Sequence, residues 1–244
     1  MSVSNLVLVV GGGSGIGKKT VEVLSYLNIG VIVADQDVSS CEGSALSGIT
    51  SIKVNVLEKA SLDELVNRLL QMNSSLIGLV YTVGTAQTKP IMSMKAVEYE
   101  KLLELNAIAF LRLLSLLDCH KLFALEGASV VVVSSLVASC GARGKIGYAA
   151  SKGALESAVK SLAIEYADRC IRVNAVAPGT VHTEMLDRLI KSIGKEAVNA
   201  LENEYPLGLG DPEDVANTIA FLISRDSGWI TGNVFMLDGA FSTR

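Results

Sequence analysis

Short runs of β-branched and aliphatic residues recur along this chain, each followed by a longer stretch with helical spacing. Runs that are apolar throughout, instead of alternating, suit parallel strands buried on both faces. Strands are expected at 6–10, 30–34, 51–54, 77–82, 129–134, 171–176 and 233–237, and helices at 15–27, 60–72, 96–117, 147–167 and 212–223. Parallel neighbours cannot be joined by a tight hairpin, so each connection must cross a face of the sheet, usually as a helix. The pattern predicts an α/β protein with a doubly wound sheet and helices on both faces. No repeat, low-complexity tract or Pro/Ser-rich linker divides it, and 244 residues that are 50% hydrophobic fit one domain spanning 1–244. Residues 183–209 hold no strand, but Met185, Leu186, Leu189, Ile190 and Ile193 recur there at helical spacing. One or two short inserted helices are expected.

Composition narrows the partners. With 21 Lys+Arg against 25 Asp+Glu the net charge is −4, and the basic residues are scattered, which argues against nucleic acid. No segment approaches the roughly 20 apolar residues of a bilayer span, and no cationic leader precedes the first strand, so no membrane partner and a cytoplasmic location are expected. Cys41, Cys119, Cys140 and Cys170 form no C-x-x-C pair, and the only histidines are His120 and His182. No metal site is expected.

The first strand runs into Gly11-Gly12-Gly13-Ser14-Gly15-Ile16-Gly17 and then a helix. Glycines let a pyrophosphate approach the backbone, and a helix N-terminus offers free N–H groups and positive dipole. The spacing, G-x-x-x-G-x-G over Gly11, Gly15 and Gly17, differs from the G-x-G-x-x-G dinucleotide fingerprint, and by itself it also describes a tight connection. Strand two ends at Asp35, where a carboxylate can accept from the ribose hydroxyls of NAD and repel a 2′-phosphate. Neither Ser14 nor Gln36 supplies the cation that a 2′-phosphate would want. The other reading of Asp35 is a loop cap after a strand.

Of 6 tyrosines, only Tyr148 has a lysine four residues on, Lys152, and helical spacing sets both on one face. A phenol serves as acid/base near neutrality only if its pKa of about 10 falls by roughly three units, which needs about 4 kcal/mol. One ammonium about 4 Å away at an effective dielectric near 20 supplies that much. Ser135, thirteen residues before Tyr148, can hydrogen-bond a reacting oxygen, with Ser134 as the competing serine. Asn106 sits among apolar neighbours, where its amide must be satisfied.

With these residues in order from Val7 to Gly239, the chain resembles the short-chain dehydrogenase/reductase family. The resemblance implies a Rossmann-type fold with a seven-stranded parallel sheet. It matches Gly11, Ser14, Gly15, Ile16 and Gly17 to the cofactor turn, and Ser135, Tyr148, Lys152 and Asn106 to the catalytic set, with Asn106 positioning water and Lys152 also bonding the nicotinamide ribose. Pro178, Gly179, Val181 and Thr183 match the loop that holds the nicotinamide carboxamide; Gly84, Asn55 and Val56 adjoin the cofactor. The chain departs from the pattern at Val10, where the family has threonine, and at Tyr81-Thr82-Val83-Gly84, where it has Asn-Asn-Ala-Gly. A polar tether between these segments is expected to be replaced by packing. Asn55 stands for an aspartate, its amide oxygen still able to accept from the adenine amino group, so weaker but retained NAD binding is expected.

The implied activity is NAD-dependent interconversion of a secondary alcohol and a ketone, with Tyr148 as general acid/base. Two alternatives are a 3-oxoacyl-thioester reductase of lipid synthesis, a class that usually favours NADPH, and a non-enzymatic NAD-responsive regulator. Residues 183–209 are expected as a lid whose Met185, Leu186, Leu189 and Ile193 either roof the site or pack on the domain. Val137, Arg143, Lys145, Ile146 and His182 are placed near the pocket. The resemblance also implies a homo-oligomer, dimer or tetramer, joined through the two long helices.

Overall fold

A computed structural model describes residues 6–41 and 48–243, the side chains at 192, 193, 195, 197 and 199 aside. Seven parallel strands form one sheet: β1 (Leu6–Val10), β2 (Gly30–Asp35), β3 (Ile49–Lys53), β4 (Leu76–Tyr81), β5 (Ala128–Val133), β6 (Ile171–Pro178) and β7 (Val234–Leu237), in the order β3-β2-β1-β4-β5-β6-β7. All seven expected strands are present, within a residue or two of their predicted ends. The chain leaves β1 to one side for β2 and returns to its other side for β4, which makes the junction of β1 and β4 the topological switch point where such sheets open a crevice.

Along β1, Leu8 and Val10 enter one apolar cluster while Val7 and Val9 enter the other, and all four are fully buried. That is why the run shows no alternation. The first cluster takes its helical side chains from α2 (Lys59–Gln71), α4 (Ala109–Cys119) and α6 (Ile146–Glu165); the second takes them from α1 (Gly15–Tyr26) and α9 (Pro212–Ile223). Asp211 and Asp214 close a capping box around Pro212, the first residue of α9, and fix its start at the predicted position.

One expected element is split. The helix read as 96–117 is α3 (Ala96–Leu103) and α4, joined by a π turn over Glu104–Ile108. A π turn widens the backbone ring and interrupts the i→i−4 ladder. Here the Tyr81 hydroxyl, at the end of β4, donates to the Leu105 carbonyl within it at 3.1 Å. The insertion contains two helices, α7 (Glu184–Ile193) and α8 (Lys195–Glu202), and a four-residue helix α5 (Val137–Cys140) precedes α6. Among the described residues no helix is long and apolar enough to cross a membrane.

Leu113 on α4 is fully buried in the larger cluster. Leu113→Ala is expected to destabilise the fold by about 2–5 kcal/mol, measured by urea denaturation.

Candidate active site

The strand register aligns the carboxyl ends. Val10 pairs with Ala34 and with Tyr81, Tyr81 with Val132, and Val133 with Val176, so the residues that follow each strand share one rim. On that rim the glycine turn enters α1. Ser14, the N-cap, makes no side-chain cap bond and no acid lies in the first turn. The first N–H groups of α1, at Gly15, Ile16 and Gly17, are therefore oriented for an anion, and Gly15 needs its positive φ of +48°. A Cβ on Gly17 would lie 2.0 Å from the Gly11 carbonyl oxygen, so that glycine is required by the turn's own packing.

Asp35 faces this turn. Its Oδ2 accepts from the Gly13 N–H at 2.8 Å and its Oδ1 from the Asp37 N–H at 3.1 Å. It does cap a loop, and each oxygen keeps a lone pair for a ribose hydroxyl. Asn55 is more fully engaged. Its Oδ1 accepts from Gln36 Nε2 at 3.0 Å and from the Leu57 N–H at 3.1 Å, while its Nδ2 donates to Glu58 at 2.6 Å. The acceptor expected to serve an adenine amino group is thus spent within the chain. Val56 beside it is buried.

Across the rim, Pro178 ends β6 and Gly179 packs against the Tyr205 ring, which a Cβ would approach to 2.8 Å. The Tyr205 hydroxyl accepts from the Thr180 N–H at 3.1 Å, pinning the loop from the end of the insertion. Val181 bridges to Gly210, and Thr183 leads into α7 with its side chain 3.4 Å from the ideal Cβ position of Gly15. A cavity of about 640 Å³ lies here, lined by Gly15, His182, Thr183, Leu186, Ile190 and Val198 among others. Leu186 and Ile190 thus line a cavity together with Gly15, Lys18 and Lys19 of α1; the Ile193 side chain lies outside the described residues.

Tyr148 and Lys152 lie one turn apart on α6, both buried, with Lys152 Nζ 6.0 Å from the Tyr148 ring centroid. Lys152 donates to the Val133 carbonyl at 2.7 Å. Burial drives its pKa down to about 8, with Glu156 acting in the opposite sense. Burial pushes the Tyr148 phenol up, and a hydrogen bond with the Ser135 side chain pulls it down. Ser135 is the half-buried serine that meets Tyr148, whereas Ser134 is buried and donates to Glu156 at 2.7 Å. Asn106, fully buried in the π turn, accepts from the Thr85 N–H at 2.8 Å and donates to the Thr85 carbonyl and to Ser151. Its two side-chain donors are both used, so the amide itself fastens the loop after β4 to α6. Gly84 lies between these groups: a Cβ there would be 3.1 Å from Lys152 Nζ and 3.2 Å from Asn106 Oδ1. Among the described residues no group of three His, Cys, Asp or Glu could hold a metal ion.

The family described as "Enoyl-(Acyl carrier protein) reductase" matches residues 11–242. The 3-oxoacyl-[acyl-carrier-protein] reductase FabG of Thermotoga maritima is 32% identical over 239 residues, covering 95% of each chain. A short chain dehydrogenase family protein from Francisella tularensis superposes with a TM-score of 0.88 at 26% identity over the whole of both chains. The chain belongs to the short-chain dehydrogenase/reductase family. As a member it is an oxidoreductase of a family that works with a nicotinamide cofactor. A further similar structure, with a TM-score of 0.89 and 26% identity over 99% of this chain and 100% of its own, is of ElxO with NADP bound.

The family's usual asparagine after the fourth strand is Thr82 in this dehydrogenase/reductase, and packing does not replace its tether. The Thr82 hydroxyl lies 3.1 Å from the Val10 carbonyl oxygen and 3.0 Å from that of Gly11, reaching both with one proton. The expectation failed because the backbone after β4 runs close to the glycine turn, with the Val83 nitrogen 3.0 Å from an ideal Gly11 Cβ position, and a threonine hydroxyl spans the gap that remains. Thr85, Ser151 and Glu156 also belong to the site and were not singled out in the sequence; the serine inside Tyr148-Ala149-Ala150-Ser151-Lys152 was the available signal. Thr82→Val removes the tether while keeping the shape, and is expected to cost about 1–2 kcal/mol in urea denaturation.

Proposed function

We propose that this protein is an NAD(H)-dependent oxidoreductase that interconverts a secondary alcohol and a ketone. The observation that carries the reading is the convergence of the Ser135 hydroxyl, the Tyr148 phenol and the buried Lys152 ammonium at the strand rim that also presents the first turn of α1. The Asp35 carboxylate supports NAD over NADP, because its charge opposes a 2′-phosphate while its free lone pairs suit ribose hydroxyls. Gly11–Gly17 with Asp35 would hold the adenosine and pyrophosphate, and Pro178–Thr183 the nicotinamide end.

A bound nicotinamide would supply the hydride acceptor or donor. Tyr148 Oη takes the hydroxyl proton of the alcohol, or returns it to the ketone oxygen in the reverse direction. Ser135 hydrogen-bonds the same oxygen as charge develops on it. Lys152 places positive charge beside a phenol that burial alone would keep protonated. Asn106 acts through position: its three side-chain bonds hold the Thr85 loop against α6. The same reading places the protein in the cytoplasm. It also makes it a homo-oligomer through the π turn, α4 and α6, where Ile108 and Ile164 are 42% and 81% exposed. The alternative, reduction of a 3-oxoacyl thioester, is favoured by the name of the Thermotoga maritima relative.

Assaying purified protein with NAD and NADP against a panel of secondary alcohols and a 3-oxoacyl thioester separates the two. Turnover of alcohols with NAD is expected, and turnover confined to the thioester with NADPH would install the alternative. Tyr148→Phe is expected to abolish most turnover, by a factor of at least about 100, with NAD affinity by calorimetry nearly unchanged. Asp35→Asn keeps the backbone bond to Gly13 and removes the charge; the ratio of NADP to NAD affinity is expected to rise about tenfold, or about 1.4 kcal/mol.

A further inference from the structure

Ser134 competes with Ser135 in the sequence, and the structure gives it a different task. It directly follows β5 at 3% exposure, and its hydroxyl donates to Glu156 Oε1 at 2.7 Å. One residue earlier, the Val133 carbonyl accepts from Lys152 Nζ at 2.7 Å. Glu156 follows Lys152 by four positions on α6, so the two side chains project from adjacent turns of one face. Two consecutive residues of one strand end therefore fix an ammonium and a carboxylate side by side, without closing an ion pair between them.

We propose that Glu156, oriented by Ser134, is the countercharge that holds Lys152 in its ammonium form, both acting as positioning residues. Lys152 is 2% exposed and donates to a neutral carbonyl, which compensates a buried charge only in part. The groups that face it are few. Its own helix contributes Tyr148 and Glu156; β5 contributes the Val133 carbonyl and Ser134; the loop after β4 contributes Gly84, and the π turn Asn106, neither of which titrates. Among the described residues Glu156 is the one charged group that acts on Lys152, and it acts against the effect of burial. Removing its charge leaves burial unopposed, and Lys152 then releases its proton at lower pH.

The inference rests on the proposed oxidoreductase reading only for its kinetic consequence, so the first measurement needs neither substrate nor cofactor. In the full chain labelled with [ε-13C]lysine, the Lys152 resonance, assigned by its absence in Lys152→Met, is titrated by NMR. Glu156→Gln is expected to lower its midpoint by about one pH unit, a tenfold change in proton affinity moderated by the partial exposure of Glu156. Ser134→Ala is expected to shift it in the same direction by less, and Glu156→Asp to restore most of it. An unchanged or raised midpoint in folded Glu156→Gln overturns the proposal, and so does a Ser134→Ala midpoint equal to wild type. The pH–rate profile of Glu156→Gln is expected to lose its alkaline side by the same interval. A midpoint that moves while the profile stays fixed supports the countercharge and overturns the catalytic role given to Lys152.

Discussion

A sheet buried on both faces leaves a chain one place for polar chemistry, the rim where the strands stop. Val7 and Val9 are as fully buried as Leu8 and Val10, and the valines of β5 are buried from end to end. Polar side chains within those strands would need partners between helix and sheet, where few exist. The functional groups therefore gather just after Val10, Asp35, Tyr81, Val133 and Pro178, or on the α6 turn that leans over them. Their mutual distances are set by strand register, and strand register is set by the apolar packing beneath.

The same burial shapes the electrostatics. It drives the Tyr148 phenol up and the Lys152 ammonium down, so each is moved toward its neutral form. The phenolate that proton transfer would use is thus not the resting preference of the protein's own atoms, whereas Lys152, with its pKa at about 8, keeps its proton near neutrality. The phenolate has to be drawn out by charge and hydrogen bonds at the rim; among the described residues Ser135 lowers the phenol and Glu156 supports the ammonium. A site arranged in this way rests near neutral pH as an uncharged phenol beside an ammonium.

The sheet was largely legible in the sequence because the central strands β1, β4 and β5 are nearly unbroken apolar runs, and the strands with polar interruptions, such as Arg172 and Asn174 in β6, keep β-branched or aliphatic residues between them. Boundaries that depend on tertiary bonds were not. The π turn is invisible in 96–117, whose hydrophobic period runs through it, since the partner of Leu105 is a hydroxyl 24 positions away on another element. Ser135, Tyr148 and Lys152 carry a spacing signal, but the bonds that orient them do not. The tether from Thr82 to Gly11 joins residues 71 apart, and Ser134 differs from Ser135 only in which way a strand end turns. Asn55 shows the converse: its residue type suited a ligand, and its neighbours Gln36 and Leu57 had already claimed it.

Tyr81 and Thr82 are adjacent in the chain and reach in opposite directions, one to the helix carbonyl of Leu105 and the other to the carbonyls of Val10 and Gly11. A single peptide unit thereby couples the glycine turn to the π turn that carries Asn106. With Tyr81 fully enclosed and packed on Phe110, that unit has no slack. The two halves of the rim, the half that would grip phosphates and the half that fixes the loop beside Lys152, are joined through that one unit. Displacing one half from the other would have to break the bonds made by Tyr81 or Thr82.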